Sequence, residues 1–218
     1  MSSLIFHTDE EQAFVATDTL ATSPSGEPFM FTTKTFIVPH LRMLMCGTGI
    51  AGFLGRWFIR VNDRMIVRCV DHLNDHTPNR LVGLWREHRE EFSIPDTFST
   101  TVYHFGFSSM DGLIHPYAYR STNNFKSEAL QYGIGVKPEC QVPQSYCLPT
   151  DIKKIMDEQR VIEATKPKNE KIYIGGEILI HHLTKSGFNV YTLDRFDDYE
   201  LDERAIYKNY DSLSKGTN

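Results

Sequence analysis

The chain has 218 residues, 40% of them hydrophobic, 12% aromatic and 23% charged, which fits one globular domain with a real core and excludes a disordered or fibrous segment. Lys and Arg total 23 against 28 Asp and Glu, and the resulting net charge of −5 offers no general attraction to phosphate backbones or anionic lipid. Neither nucleic acid nor a membrane is an expected partner, and the longest apolar stretch, 41–55, is broken by Arg42, Thr48 and glycines, short of the roughly 20 residues that span a bilayer. Met1 to Glu11 turns acidic without a basic leader, and Cys46, Cys69, Cys140 and Cys147 lack CxxC spacing; the expectation is a cytoplasmic protein with reduced thiols.

In chain order, the first 46 residues read as an antiparallel meander: strands at Leu4 to His7, Ala13 to Thr17, Lys34 to Val38 and Arg42 to Cys46, with turns at 9–11 and 23–26. After Gly47-Thr48-Gly49 the period changes. Ile50, Phe53, Leu54, Trp57, Phe58 and Val61 share one helical face, so a helix is expected just past the glycines. A second helix is expected from Thr77 as cap and Pro78 at its first position, through Leu81, Leu84, Trp85 and His88. Strands follow at Thr101 to Phe107, Leu113 to Tyr119 and Ala129 to Ile134, then a proline-rich loop over 136–149. A third helix is expected from Thr150, with Ile152, Ile155, Met156 and Ile162 on one face, and a hairpin turns around Lys185-Ser186-Gly187. Residues 1–196 form the expected domain and 197–218 a loosely held polar, acidic tail.

Three features near the N-terminus point to one chemistry. Ser2 follows a methionine that such a small residue allows to be removed, which would place a hydroxyl and a free α-amine on one residue. Asp18 stands sixteen residues after Ser2, closing a Phe14-Val15-Ala16-Thr17-Asp18 strand, and Lys34 stands sixteen after Asp18. The third feature is the glycine turn, Gly47-Thr48-Gly49. A hydroxyl is a poor nucleophile, whereas an α-amine, at about 7.7–8.0, is a base poised near neutrality. A lysine ammonium beside that amine favours its neutral form, and an aspartate would fix the lysine. Backbone N–H groups of Gly47 or Gly49 at a helix start would stabilise a tetrahedral oxyanion.

These residues and spacings resemble the proteasome β-subunit and its bacterial relative HslV, members of the N-terminal-nucleophile hydrolases. The resemblance runs without a gap from Ser2 to Lys34 and continues more weakly to about Arg195, with Gly175-Gly176 similar to the family's paired glycines. It implies an α+β fold, a four-layer α-β-β-α sandwich of two antiparallel sheets, and a peptidase or amide hydrolase that uses Ser2 and no cofactor or metal. It further implies a homo-oligomeric ring, an ATP-dependent unfoldase as a possible partner, peptide or protein substrates, and Ala21, Thr32 and Cys46 lining the pocket for the residue before the scissile bond. The sequence departs from the family at four points: serine replaces the nucleophilic threonine, Gly133-Ile134-Gly135-Val136 lacks the family's supporting serine, Lys171 and Ile174 replace its aspartate and serine, and a proline-containing loop replaces a helix. Two other readings remain open, a catalytically silent ring or scaffold protein and a small-molecule amidase of the same superfamily.

The histidines are weaker signals. His72 and His76 share a helix face but lack a third ligand, and His181-His182 in a strand point to opposite faces, so neither pair is expected to hold a metal.

Overall fold

Leu4, Ile5 and Phe6 are consecutive and all buried, which a strand achieves only when both of its faces are covered. The computed structural model describes residues 3–23 and 25–215, the last five as backbone alone; Met1 and Ser2 lie outside the described residues. The elements run β1 (Leu4–Thr8), β2 (Gln12–Asp18), β3 (Leu20–Thr22), β4 (Pro28–Phe31), β5 (Thr35–Val38), β6 (Met43–Thr48), α1 (Phe53–Arg64) and α2 (Val70–Phe92). They continue with β7 (Thr101–Phe107), β8 (Ile114–Arg120), β9 (Ser127–Ala129), β10 (Gly133–Lys137), α3 (Ile152–Ala164), β11 (Glu177–Thr184), β12 (Gly187–Arg195) and α4 (Tyr199–Lys215).

Two antiparallel sheets carry the fold, ordered β10-β1-β2-β11-β12 and β5-β6-β7-β8-β9, with β3 and β4 as a separate hairpin. The first 46 residues are thus not one meander, because the β3–β4 hairpin carries the chain from one sheet to the other. Strand alternation then sorts the side chains. Leu4, Phe6, Ala13 and Val15 of the first sheet pack with Leu44, Cys46, Tyr103, Phe105 and Ile114 of the second. The opposite faces take Ile5, Phe14, Ala16 and Ile180 against Ile152, Ile155 and Met156 of α3, and Met43, Met45 and Val102 against Phe53, Trp57, Val61, Leu73 and Leu84 of α1 and α2.

Four sequence expectations are corrected. The second helix begins at Val70, not at Thr77, and carries Pro78 inside it; Leu73 and Thr77 are buried there, and the Thr77 hydroxyl donates to Leu73 O at 2.8 Å, so packing outweighs the proline. The strand expected at 129–134 divides into β9, which pairs with β8, and β10, which pairs with β1, because the chain changes sheet between them. In α3 the helix follows Asp151 rather than Thr150, and Gln159 and Glu163 complete its buried face while Ile162 is only half-buried. Residues 199–215, expected as a loose tail, form α4, which packs on β4 with Tyr199 stacked on Phe31 at 4.8 Å between ring centres. No helix among the described residues is long and apolar enough to cross a membrane.

Candidate active site

β2 ends at Asp18, and the β1–β2 register, Leu4 opposite Thr17, brings Ser3 beside it. The Ser3 amide donates to Asp18 Oδ1 at 2.9 Å. Lys34, just before β5, donates from Nζ to the same Oδ1 at 2.8 Å and to Leu20 O at 2.7 Å. The Gly175 amide donates to Asp18 Oδ2 at 3.2 Å. Asp18 has no exposed surface and Lys34 is 8% exposed, so the charges compensate each other out of water. Burial pushes Lys34 below the usual lysine range, and the Asp18 carboxylate opposes that shift. Two of its three ammonium protons are used, which leaves one for a further group, among the described contacts.

The sequence-predicted residues fall into three groups. Asp18 and Lys34 are brought together. Gly47 and Gly49 lie near them: β5–β6 pairing sets Thr35 opposite Cys46, so Lys34 stands level with Gly47. Both glycines have a steric reason to be there. A Cβ on Gly47 would come within 2.7 Å of Thr101 O; one on Gly49, at φ +114°, would meet Ser99 O at 2.4 Å. The helix expected to start at these glycines starts later, at Phe53 after Gly52, since residues 49–52 form a turn; Gly47 is part of β6, and neither glycine lies in the first helical turn. Ser2, the expected nucleophile, lies outside the described residues and is joined directly to Ser3.

Ala21 lies within β3 opposite Met30 and Thr32 follows β4, both half-buried; Thr32 N donates to Thr19 O at 2.8 Å. Cys46 differs from the expectation of a pocket residue. Its side chain has no exposed surface and packs between the sheets, where burial pushes its thiol far up.

Gln159 and Ser3 escaped the sequence reading. Gln159, wholly buried on α3, accepts from Ser3 Oγ at 2.5 Å and donates to Pro138 O at 2.6 Å. The signal was present: Gln159 falls three and four residues after Met156 and Ile155, on the apolar stripe of α3. Where the family carries supporting hydroxyls, β10 instead packs Gly135 against the Phe6 ring and Ile174 joins the apolar cluster on α3. His72 and His76 of α2 approach at 3.3 Å between Nε2 atoms, and the amide of Arg68, just before the helix, donates to His72 Nδ1, a local arrangement around the start of α2. No group of three metal-ligating side chains occurs among the described residues.

No protein-family model matches the chain, and no curated protein matches it. Solved structures do. Anbu (ancestral beta-subunit) from Yersinia bercovieri aligns over 100% of this chain and 98% of its own at 9% identity, with a TM-score of 0.59. A Gly-1 mutant of Anbu from Hyphomicrobium sp. strain MC1 aligns over 99% and 96% at 12% identity and TM-score 0.58, and Anbu from the same strain over 98% and 96% at 13% and 0.57. At these identities the likeness establishes a fold shared with Anbu, and it does not single out the HslV branch.

Proposed function

We propose that the protein is an N-terminal-nucleophile hydrolase that cuts amide or peptide bonds through an ester on Ser2, after removal of Met1. The observation that carries this reading is the convergence, on one oxygen of Asp18, of Lys34 Nζ and the amide of Ser3, the residue that follows Ser2. Ser2 Oγ attacks the substrate carbonyl carbon while its own α-amine takes the hydroxyl proton. That proton passes to the departing amine as the C–N bond breaks, leaving an acyl ester on Ser2. Water then attacks the ester, the α-amine takes a proton from it, and the acid leaves as Ser2 Oγ recovers its proton. The Lys34 ammonium keeps the amine neutral at physiological pH, and Asp18 holds Lys34 in place. Backbone N–H groups in the 47–49 segment are the oxyanion donors, and removing one such donor costs about 3 kcal/mol of barrier in known enzymes.

The three apolar clusters support a four-layer sandwich of α1 and α2, the two sheets, and α3. In this proposal the protein is a homo-oligomeric ring in the cytoplasm that acts on peptide or protein substrate and can be served by an unfoldase; the fold likeness to Anbu supports the ring. Ala21 and Thr32 border the substrate groove, and Cys46 shapes it from the core behind. A second reading, a silent ring or scaffold protein, draws on Lys171, Ile174 and Ile134 standing where the family carries polar support.

Intact mass and turnover test the proposal together. The mass is expected to lack one methionine, and peptide reporters are expected to be cut by the wild type and not by Ser2→Ala. Retained Met1, or unchanged turnover by Ser2→Ala, rejects it. Assembly without turnover in both proteins selects the scaffold, and turnover of small amides alone by a monomer or dimer selects an amidase.

A further inference from the structure

Asp202 lies in the first turn of α4, and its Oδ2 is closed off from solvent without a hydrogen-bond partner among the described residues. That oxygen stands 3.1 Å from the position a Cβ on Gly175 would take, with Leu20 Cδ2 at 2.9 Å from the same point. A side chain at 175 would therefore press on the Asp202 and Leu20 side chains. Gly175 is also the peptide that secures the ion pair: its N–H holds Asp18 Oδ2 at 3.2 Å, and its carbonyl accepts from Thr19 N at 3.3 Å and Leu20 N at 3.0 Å.

We infer that Asp202 is a positioning residue for the Asp18–Lys34 pair, acting through the Gly175 peptide, and that its ionisation decides how firmly α4 seats there. The groups that face it set the sign. Asp198, four residues earlier and just before α4, repels a second carboxylate. Arg160 of α3 attracts it, but is already committed to Asp198, with Nη1 on Oδ1 at 3.2 Å and Nη2 on Oδ2. Leu20 and Gly175 present no charge, and Asp18 with Lys34 stands beyond the Gly175 amide as a compensated pair. Burial first, and Asp198 second, push the Asp202 carboxyl up to about 6 against the pull of Arg160. A neutral carboxyl tolerates the dry contact with Gly175. An ionised one lacks a donor and is repelled by Asp198, so α4 loosens as pH rises from the ordinary carboxyl range to that value, and the Gly175 amide loses its cover.

The effect on turnover rests on the hydrolytic reading above; the coupling between α4 and Gly175 does not. Hydrogen exchange of the full chain, followed in peptides that contain Gly175, therefore reads it without turnover. With the intrinsic pH dependence of exchange removed, the wild type is expected to exchange on the order of tenfold or more faster than Asp202→Asn at about pH 7.5, with the difference shrinking toward about pH 4. Asp202→Ser serves as a second variant should the amide fail to fold. Exchange that is alike in wild type and variant at both pH values overturns the inference. If reporters are cut, the wild-type pH–rate profile has an inflection near 6 that the variant lacks, a change that mere loss of packing does not produce; an unmoved inflection overturns it too. An exchange difference without any turnover upholds the coupling and removes the hydrolytic reading instead.

Discussion

Lys34 Nζ and Asp18 Oδ1 meet at 2.8 Å although Asp18 ends a strand of one sheet and Lys34 introduces a strand of the other. The pair is buried from both sides, and its partners are unequal. Asp18 keeps two backbone donors, Ser3 N and Gly175 N, when the lysine is removed, whereas Lys34 without Asp18 retains Leu20 O alone.

Asp18→Asn is therefore expected to cost more stability than Lys34→Met. Leaving an uncompensated buried ammonium costs about 3–5 kcal/mol, and the methionine exchange about half of that. The double variant is expected to lose less than the sum of the two single losses. Urea denaturation of all four proteins measures the cycle, and strict additivity would show that the two groups do not interact.

Gly49→Ala is expected to cost more than Gly47→Ala. The methyl at 49 is met by Ser99 O at 2.4 Å and Thr100 Cα at 2.7 Å, on a backbone at φ +114°, while that at 47 meets Thr101 O at 2.7 Å with no unusual φ. The backbone conformation alone is worth about 1–3 kcal/mol, so thermal melts are expected to rank wild type above Gly47→Ala and that above Gly49→Ala. A reversed ranking would mean that the 49–52 turn relaxes easily and that the contact of Gly47 with Thr101 O is the tighter constraint.

The parts of the fold legible from sequence are those written in local period. β7 occupies Thr101–Phe107 as read, and α1 buries Phe53, Trp57 and Val61 from the face that the spacing marked. The approach of Asp18 to Lys34 was legible as spacing, though only through a family resemblance. Illegible were features set by distant partners. Pro78 sits within α2 because that helix packs Leu73 and Thr77 under the sheet, and residues 130–132 interrupt a strand-like run because the chain must cross between sheets there. The tail reads as polar, yet α4 needs only Tyr199 and a few residues beside β4 to dock. Ser3 and Gln159 are 156 positions apart, a separation over which no local pattern speaks.

Away from this site, His115 supplies a pH-dependent contribution to stability. Burial works to lower its pKa, but hydrogen bonds and charge from Asp71, at 2.6 Å from Nδ1, and Asp111, at 3.1 Å from Nε2, raise it above 6.5 overall. A histidine whose folded value is raised contributes fully below its unfolded value and loses that contribution as pH rises through the folded one. His115→Gln is thus expected to lower the melting temperature more at about pH 6 than at about pH 9. An equal loss at both would show that the imidazolium gains nothing from its two carboxylates.

Gln159 is the residue through which α3 reaches the start of β1. Its amide uses both ends, accepting from Ser3 Oγ at 2.5 Å and donating to Pro138 O at 2.6 Å, and it is wholly buried. Replacement by leucine keeps the volume and strands the Ser3 hydroxyl and the Pro138 carbonyl, each at about 1–3 kcal/mol, so a loss of about 2–5 kcal/mol is expected by denaturation. Gln159→Glu is expected to recover part of that loss only at low pH, where a protonated carboxyl accepts from Ser3 Oγ and donates to Pro138 O; ionised, it sets a buried unpaired charge against the Pro138 carbonyl. The consequence for the site is separable from stability. Ser3 N also binds Asp18, so a freed Ser3 allows the segment before it to move. If Ser2 is the nucleophile, Gln159→Leu is expected to lower kcat at saturating reporter while KM changes little, because the displaced group is the attacking one and not the substrate groove. A rise in KM with kcat intact would instead assign Gln159 to the groove, and would separate the start of β1 from the chemistry.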